Sequence, residues 1–274
     1  MPKSIIWLAS YPKSGNTWLR VFLANYFLGA DQPVPLAQIS HVSFGDSALT
    51  PLAELAGRDP RELPPVELMA LRHRRMHDIS MRGDINFVKT HNANGQIAGA
   101  RLIPPEVTRA AVLLVRDPRD VALSYADHWG IPPDAAAAQL RDPKNRIAHT
   151  PKTVAQYLGS WSDHAMGWIA AKDFPVIILR YEDLLAQPET SFTTLLKAIG
   201  APIDRRIVAQ SIAFSCFDAV SSQEAKAGFD EKGQAQTRFF REGSAGQWRD
   251  KMHPALSSQI TEDHRGIMQK FGYI

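Results

Sequence analysis

The sequence predicts an α/β fold, a single domain with a central, mostly parallel sheet flanked by helices. Three observations lead to this prediction. Short apolar runs typical of strands recur along the chain, amphipathic helical segments separate them, and the first strand leads through a glycine-containing loop into a helix. We find no linker that would separate two cores, so we expect one domain over residues 1–274.

The opening of the chain predicts a strand, a loop and a helix. IIWLAS, at residues 5–10, is a short apolar run typical of a buried strand. Pro12 and Gly15 interrupt this pattern. From Trp18 to Phe27 the apolar residues recur every three or four positions, which indicates one face of a helix, and Gly29 is suited to end it.

The middle of the chain predicts loops followed by a helix and two strands. Residues 31–65 are rich in Pro and Gly and are expected to form loops and short helices, and a helix is expected from Val66 to Met76. Asn86 to Thr90 and Ala110 to Val115 predict strands. The second of these reads AAVLLV and is apolar on both faces, as a parallel sheet covered by helices requires.

A helix is expected directly after the third strand. Asp117 fits its N-cap, Pro118 its first position and Asp120 an acidic position in its first turn. These three residues together predict a helix that begins at the carboxyl end of a strand.

The last part of the chain alternates structured and irregular segments. Residues 130–151 are irregular in pattern and are a candidate mobile cover, and Val154 to Ala171 predict a long helix. Val176 to Leu179 predict a fourth strand. Residues 225–247 are polar and glycine-containing, which favours a long functional loop, and His253 to Phe271 predict a closing helix.

Composition excludes several classes of protein. The 31 Lys and Arg residues exceed the 28 Asp and Glu residues by only three, which is too balanced for a protein that coats nucleic acid or anionic membrane. The single cysteine, Cys216, excludes an intramolecular disulfide framework and a multi-cysteine zinc site, and fits a reducing compartment. No apolar run suits a signal peptide or a membrane span, so we expect a cytoplasmic protein.

The loop YPKSGNTW, from Tyr11 to Trp18, has the composition of an anion site. A loop between a strand and a helix directs backbone N–H groups and the helix dipole at one spot, and Gly15 allows close backbone approach. Lys13 precedes the glycine, so the pattern differs from the Walker loop of ATPases. Additional side-chain donors are Ser14, Asn16 and Thr17. The alternative is an ordinary strand-to-helix turn.

Three further segments carry residues suited to chemistry. Arg116 ends the third strand, where its planar guanidinium could bind a phosphate together with the Ser124 hydroxyl. The alternative is an ion pair between Arg116 and a neighbouring aspartate. Lys89 and His91 end the second strand and share one face, and histidine is the usual general base near neutral pH. The alternative is that His91, one of nine histidines, is a surface or core residue. Arg241 lies beside glycines in the long polar loop. Taken alone, this segment would be interpreted as a solvent-exposed loop.

These four segments, in this order, resemble those of the PAPS-dependent sulfotransferases of the soluble, cytosolic type; PAPS is 3′-phosphoadenosine 5′-phosphosulfate. YPKSGNTW is similar to the family's YPKSGTTW loop, and VRDPRDVALSY to its R-N-P-[RK]-D-V-x-x-S-Y segment. FREGSAGQW resembles R-K-G-x-x-G-D-W, with Glu242 in place of a cation, and KTH resembles the segment with the catalytic histidine. The resemblance runs from about Ile5 to Phe271 and implies a P-loop-like PAPS-binding fold.

The resemblance also implies a role for each matching residue. The 5′ side of PAPS would be held by Lys13, Ser14, Gly15, Asn16, Thr17 and Trp18, and the 3′-phosphate by Arg116, Ser124, Arg241 and Gly243. Trp18 would also lie against the adenine, and Tyr181 and Phe217 would complete the adenine slot. His91 would be the general base, with Lys13, Lys89 and Ser124 as further catalytic residues. No metal is implied.

The expected reaction is transfer of a sulfuryl group from PAPS to the hydroxyl, or less readily the amine, of a small acceptor, leaving 3′,5′-ADP. Apolar residues in the variable segments indicate a partly apolar acceptor, although the same residues could be core: Leu36, Ile39, Val42, Phe44, Leu49 and Ile131. We expect no nucleic acid polymer as partner, and the oligomeric state stays open. The alternatives are a phosphotransferase that uses ATP and a non-catalytic nucleotide-binding module.

Overall fold

The computed structural model describes residues 3–29, 31–233 and 235–274. Its contacts group the chain into two compact units, each made of three segments. The first unit comprises residues 1–11, 44–113 and 142–178, and the second comprises residues 12–43, 114–141 and 179–274. The single domain over residues 1–274 stays a prediction.

Nine strands lie along the described chain: β1 (Ile5–Ser10), β2 (Ser43–Gly45), β3 (Asn86–Thr90), β4 (Gln96–Ile97), β5 (Ala100–Arg101), β6 (Thr108–Val115), β7 (Arg146–Ile147), β8 (Gln156–Tyr157) and β9 (Val176–Arg180). Five of them form the main sheet in the order β2-β3-β1-β6-β9. Strands β1 and β3 are parallel, with Ile5 opposite Asn86 and Ala9 opposite Thr90, so their carboxyl ends lie side by side. The predicted α/β class with a central, mostly parallel sheet is confirmed.

Twelve α-helices occur in the described ranges: α1 (Asn16–Leu28), α2 (Leu49–Ala56), α3 (Pro65–Ser80), α4 (Pro118–Trp129), α5 (Pro133–Arg141), α6 (Trp161–Ile169), α7 (Tyr181–Ala186), α8 (Pro188–Ala198), α9 (Arg205–Ser215), α10 (Phe217–Ala227), α11 (Trp248–Lys251) and α12 (Pro254–Lys270). Short 3₁₀ helices cover Leu36–His41 and Pro60–Glu62. None of these described helices has the length and apolar composition needed to cross a membrane.

Each unit has its own apolar packing. In the first unit every residue of β1 is buried, and the Trp7 indole donates to the Thr108 hydroxyl at 2.9 Å, which ties β1 to the start of β6. In the second unit the ring of Phe22 on α1 stacks on Phe192 of α8, with ring centroids 3.7 Å apart. These contacts hold β1 against β6 in the first unit and, separately, α1 against α8 in the second.

The predicted long helix from Val154 to Ala171 is wrong in its first half. Gln156–Tyr157 pair antiparallel with Arg146–Ile147 instead. Gly159 has a φ of +67°, a left-handed conformation that interrupts a helix. The hydroxyl of Ser160 then accepts the N–H of Asp163 at 3.0 Å, so this cap begins α6 at Trp161.

The predicted irregular segment over residues 130–151 is wrong for Pro133–Arg141, which form α5. Pro133 suits the first turn of a helix, and the four alanines that follow Asp134 have the strongest helix propensity. Ala136, Ala137 and Leu140 are buried, because α5 packs against α4 and α12.

Candidate active site

The loop between β1 and α1 has the backbone geometry of an anion cradle. Gly15 caps α1 with a φ of +101°, and Lys13 also has a positive φ of +70°. A Cβ at Gly15 would lie 2.7 Å from the ring of Tyr181, so only glycine allows this approach. Ser14 is fully buried, and its hydroxyl has no hydrogen-bond partner among the described residues. A buried donor without a partner at a helix N-terminus is suited to an anionic group.

Arg116 joins this loop to two other segments of the second unit. Its Nη1 donates to the carbonyl of Lys13 at 3.2 Å, and its Nη2 donates to the carbonyl of Ser244 at 3.0 Å. The guanidinium carbon lies 4.4 Å from the ring centroid of Tyr181. The nearest carboxylate oxygen, on Asp120, is 3.8 Å from Nη2, and the buried Nε has no partner in the described chain. Arg116 therefore keeps donor capacity for a ligand.

Asp120 anchors the C-terminal loop rather than serving only as the acidic residue of the first turn. Its carboxylate accepts the backbone N–H groups of Gly246 at 2.6 Å and Trp248 at 3.0 Å. The sequence pattern missed this role because the partners lie more than 120 residues away. Asp117 does cap α4 as predicted, since its carboxylate accepts the N–H of Arg119 at 2.9 Å.

Arg241 is held at the other end of the same loop. Its Nη2 donates to the Gln247 side chain at 3.1 Å, and its Nη1 lies 3.8 Å from a carboxylate oxygen of Asp127. Glu242 contacts both Lys251 and the Arg241 Nε. The substitution of a carboxylate at position 242 therefore offsets part of the positive charge of Arg241.

Aromatic residues border the cradle on one side. Trp18 meets Tyr181 edge-on, with ring centroids 5.7 Å apart, and burial raises the pKa of the Tyr181 phenol. Phe217 begins α10, and a Cβ at Gly243 would lie 2.3 Å from its ring, which explains why glycine with a φ of +60° occupies position 243. These four residues are the ones for which the resemblance implies contact with the adenine or the 3′ side.

The amine of Lys13 is buried between two rings. Its Nζ lies 4.1 Å from the ring centroid of Phe239 and 3.4 Å from Nδ1 of His128. Burial lowers the pKa of Lys13 from 10.5 to about 8. Ser124 is half-buried on α4, and within the described chain it makes no hydrogen bond to Lys13.

A carboxylate of the long polar loop reaches the start of α1. Glu231 accepts a hydrogen bond from the Thr17 hydroxyl at 3.2 Å and from Nη1 of the buried Arg20 at 2.6 Å. Arg20 also donates from Nε to the Ser43 hydroxyl at 2.9 Å. Glu231 therefore places a negative charge beside residues that are suited to bind a phosphate.

In the first unit, hydrogen bonding defines which nitrogen of His91 can accept a proton. Nδ1 of His91 lies 2.9 Å from the carbonyl of Ser10, so this nitrogen carries a hydrogen, and in the neutral ring the lone pair is on Nε2. Lys89 is half-buried two residues earlier, and its carbonyl accepts the N–H of Asp46 at 3.1 Å. His91 thus has the tautomer that a general base at Nε2 requires.

A buried polar network fixes the segment that carries His91. The carboxylate of Asp46 accepts from the Thr90 hydroxyl at 2.8 Å and from the Asn92 amide at 2.6 Å. Nε2 of His164 lies 3.2 Å from the carbonyl of His91. Burial lowers the pKa of His164 to about 4, so this ring is neutral at pH 7 and its N–H donates to that carbonyl. No local sequence pattern indicated Asp46 or His164, because both act through tertiary contacts.

Most residues expected to line an acceptor pocket belong to the core. Leu36 and Ile39 are buried in a cluster with Val21 and Val220, and Val42 packs against this cluster. Leu49 packs against a second cluster. These residues pack inside the two units, so their apolar character does not describe the acceptor.

A family profile described as the sulfotransferase domain matches residues 3–272. The chain belongs to the sulfotransferase family. Its resemblance to PAPS-dependent sulfotransferases is thereby confirmed.

Named relatives agree with this assignment. This sulfotransferase is 25% identical to cytosolic sulfotransferase 16 of Arabidopsis thaliana, over 92% of its own chain and 72% of that protein. It is 23% identical to sulfotransferase 1 family member D1 of Rattus norvegicus, over 97% and 83% of the two chains.

Two solved structures share the fold. A mouse sulfotransferase complexed with PAP has a TM-score of 0.63 at 18% identity, and the match covers 98% of this chain and 86% of that one. Retinol dehydratase in complex with androsterone and PAP has a TM-score of 0.66 at 17% identity, with coverage of 98% and 81%.

Replacing Glu231 by glutamine should strengthen nucleotide binding. The change removes the negative charge beside Thr17 and leaves an oxygen that can still accept from Arg20. We expect the Kd for 3′,5′-ADP to fall about three- to tenfold, measured by isothermal titration calorimetry. Glu67→Gln is the matched control, because it removes a carboxylate that pairs with Arg58 at 2.7 Å on the surface of the first unit. An unchanged or weaker affinity for Glu231→Gln would contradict this interpretation.

Proposed function

We propose that this sulfotransferase transfers a sulfuryl group from PAPS to the hydroxyl of a small acceptor and leaves 3′,5′-ADP. One observation carries the proposal. The Arg116 guanidinium donates a hydrogen bond to the backbone carbonyl of Lys13, next to the buried Ser14 hydroxyl, which has no hydrogen-bond partner among the described residues. An arginine fork, a lysine and the N-terminus of a helix are the groups that bind phosphates in proteins. Their combination suits a nucleotide with phosphates at two positions.

The residues of the second unit fit the demands of PAPS. The 5′ side would be held by Lys13, Ser14, Gly15, Asn16, Thr17 and Trp18, and the 3′-phosphate by Arg116, Ser124, Arg241 and the Gly243 backbone. Tyr181 and Phe217 would receive the adenine. The presence of PAP in the two structures of similar fold supports this assignment. When bound, PAPS supplies an activated sulfuryl group.

We propose catalytic roles for four residues. Nε2 of His91 takes the proton of the acceptor hydroxyl, because its Nδ1 is committed to the Ser10 carbonyl. Lys13 neutralises the charge that grows on the departing phosphate. The family resemblance gives Ser124 the role of restraining Lys13 until the acceptor binds, whereas in the structure Lys13 lies against His128. Lys89 stabilises the oxygens of the sulfuryl group. Cationic side chains and a helix N-terminus here take the electrostatic role that Mg²⁺ has in phosphoryl transfer, so we propose no metal.

The acceptor proposed is a small, partly apolar molecule with a hydroxyl group. Structures of retinol dehydratase, which share the fold, contain androsterone in one case and retinol in another. We also propose a single functional domain, since the family profile spans residues 3–272, and a cytoplasmic location as for the cytosolic Arabidopsis relative.

A thermal-shift comparison tests the choice of nucleotide. The protein should be stabilised by 3′,5′-ADP more than by 5′-AMP or by ATP with Mg²⁺ at equal concentration, because binding of a ligand to the folded state raises the melting temperature. A larger shift with ATP and Mg²⁺ would favour a phosphotransferase.

In the same assay Arg116→Ala should remove the preference for 3′,5′-ADP over 5′-AMP. Equal losses for both nucleotides would exclude a role for Arg116 at the 3′-phosphate.

His91→Ala tests the proton acceptor. Turnover should fall by about a hundredfold or more, the usual contribution of a positioned general base, whereas the Kd for 3′,5′-ADP should stay within about twofold. His73→Ala on α3 is the matched control, because that imidazole bonds to the carbonyl of Arg101 and not to a residue of the site. Near-full activity of His91→Ala across pH 6 to 9 would show that another group accepts the proton.

A further inference from the structure

Lys13 has a neighbour to which the family resemblance gives no role. His128 lies in the last turn of α4, and its Nδ1 is 3.4 Å from the Lys13 Nζ. The imidazole also meets Trp129 and Phe239 edge-on, with ring centroids 4.8 Å and 6.5 Å away. The Lys13 amine therefore lies against one edge of a ring that is itself packed on two sides.

Gln236 determines which nitrogen of His128 carries the hydrogen. Its amide nitrogen donates to a carboxylate oxygen of Asp127 at 2.6 Å, and its amide oxygen accepts the N–H of Gly233 at 3.2 Å. The same oxygen lies 2.8 Å from Nδ1 of His128, so Nδ1 must donate to it. Burial, followed by the charge of Lys13, lowers the pKa of His128 to about 4, so the ring is neutral at pH 7, with its lone pair on Nε2.

An N–H group that faces an amine favours the neutral form of that amine. An ammonium group has only hydrogens to offer, whereas a neutral amine has a lone pair that can share the Nδ1 hydrogen. Burial acts in the same direction and is the largest cause of the lowered pKa of Lys13. The charged groups that face Lys13 oppose one another: Asp127 and Glu231 favour the ammonium form, and Arg116 and Arg241 disfavour it.

We propose that His128 is a positioning residue for Lys13. It holds the Lys13 amine in a retracted site that is suited to the neutral form. Nucleotide binding then draws the amine out of this site, and the amine takes up one proton from solvent. This inference rests on the proposed function, in which Lys13 binds the 5′ side of the nucleotide. A phosphate beside Lys13 favours the ammonium form, because the opposite charges attract. The Lys13 charge is then greatest when the nucleotide is bound.

The affinity for nucleotide should fall as the pH rises. Below about pH 8 the Lys13 amine is already protonated in the free protein, and its affinity for nucleotide does not depend on pH. Above this pH the neutral amine must first take up a proton. The affinity then falls by up to about tenfold per pH unit, until the pH reaches the higher pKa of Lys13 in the complex. The phosphates of 3′,5′-ADP, with second pKa values of about 6, stay dianionic over this range.

The test is calorimetric titration with 3′,5′-ADP from pH 7.5 to 9.5, in two buffers with different enthalpies of ionisation. For the unmodified protein we expect uptake of about half a proton per nucleotide at pH 8, and more at pH 9. In His128→Phe the ring packing stays and the Nδ1 hydrogen is lost. The onset of the affinity loss should move up by about one pH unit, with less proton uptake at pH 8. His73→Phe is the control and should match the unmodified protein.

Gln236→Ala is a second variant that tests the effect of His128 on Lys13. Without the amide oxygen, Nδ1 of His128 can present its lone pair to the Lys13 ammonium, so the onset should also move upward. If His128→Phe does not fold, the pH dependence of nucleotide binding by Gln236→Ala tests the proposal. Identical pH dependence in the folded variants and the unmodified protein would overturn the proposal, as would an affinity that is constant from pH 7.5 to 9.5. Absence of 3′,5′-ADP binding at every pH in the unmodified protein would instead overturn the proposed function.

Discussion

The guanidinium of Arg116 connects three stretches of the second unit that are far apart in the chain. It donates to the carbonyls of Lys13 and Ser244 and lies over the ring of Tyr181. Since Arg116 ends a strand of the central sheet, a rigid element determines where the Lys13 carbonyl and the C-terminal loop meet. Glycine at position 15 follows from the same arrangement, because the Tyr181 ring leaves no room there for a Cβ. In the proposed nucleotide site this one side chain holds the three segments together.

Burial of positive charge is the cost of such a site. Lys13, Arg20 and Arg116 are largely removed from water, and a buried cation is unfavourable without an anion or an acceptor nearby. Part of the compensation comes from the chain: Glu231 approaches Thr17 and Arg20, and carbonyl groups accept from Arg116. A nucleotide would replace part of this compensation with its phosphates. The Glu231 carboxylate of the long polar loop would then compete with the nucleotide for Thr17 and Arg20.

Local patterns explain what the sequence could predict. The strand, glycine loop and helix at residues 5–28, the capped start of α4 and the buried strand β6 depend on spacing and on residue type within a few positions. The long helix predicted from Val154 failed because Gly159 adopts a left-handed conformation and Ser160 starts a new helix. His128, Gln236 and Glu231 could not be found, because their roles arise from contacts between α4, the start of α1 and a loop without periodicity. The anion cradle was predicted from its own residues, whereas the groups that adjust its charge were not.

The central claim is that this chain uses PAPS as the donor of a sulfuryl group. The most direct test incubates the purified protein with PAPS and a panel of phenols, aliphatic alcohols and sterols, and follows both 3′,5′-ADP and the sulfated product by mass spectrometry. We expect one class of acceptor to yield product and 3′,5′-ADP in equal amounts, and Lys13→Ala to lower that rate by about a hundredfold or more. Release of 3′,5′-ADP without any sulfated acceptor, or equal rates for Lys13→Ala and the unmodified protein, would contradict the account.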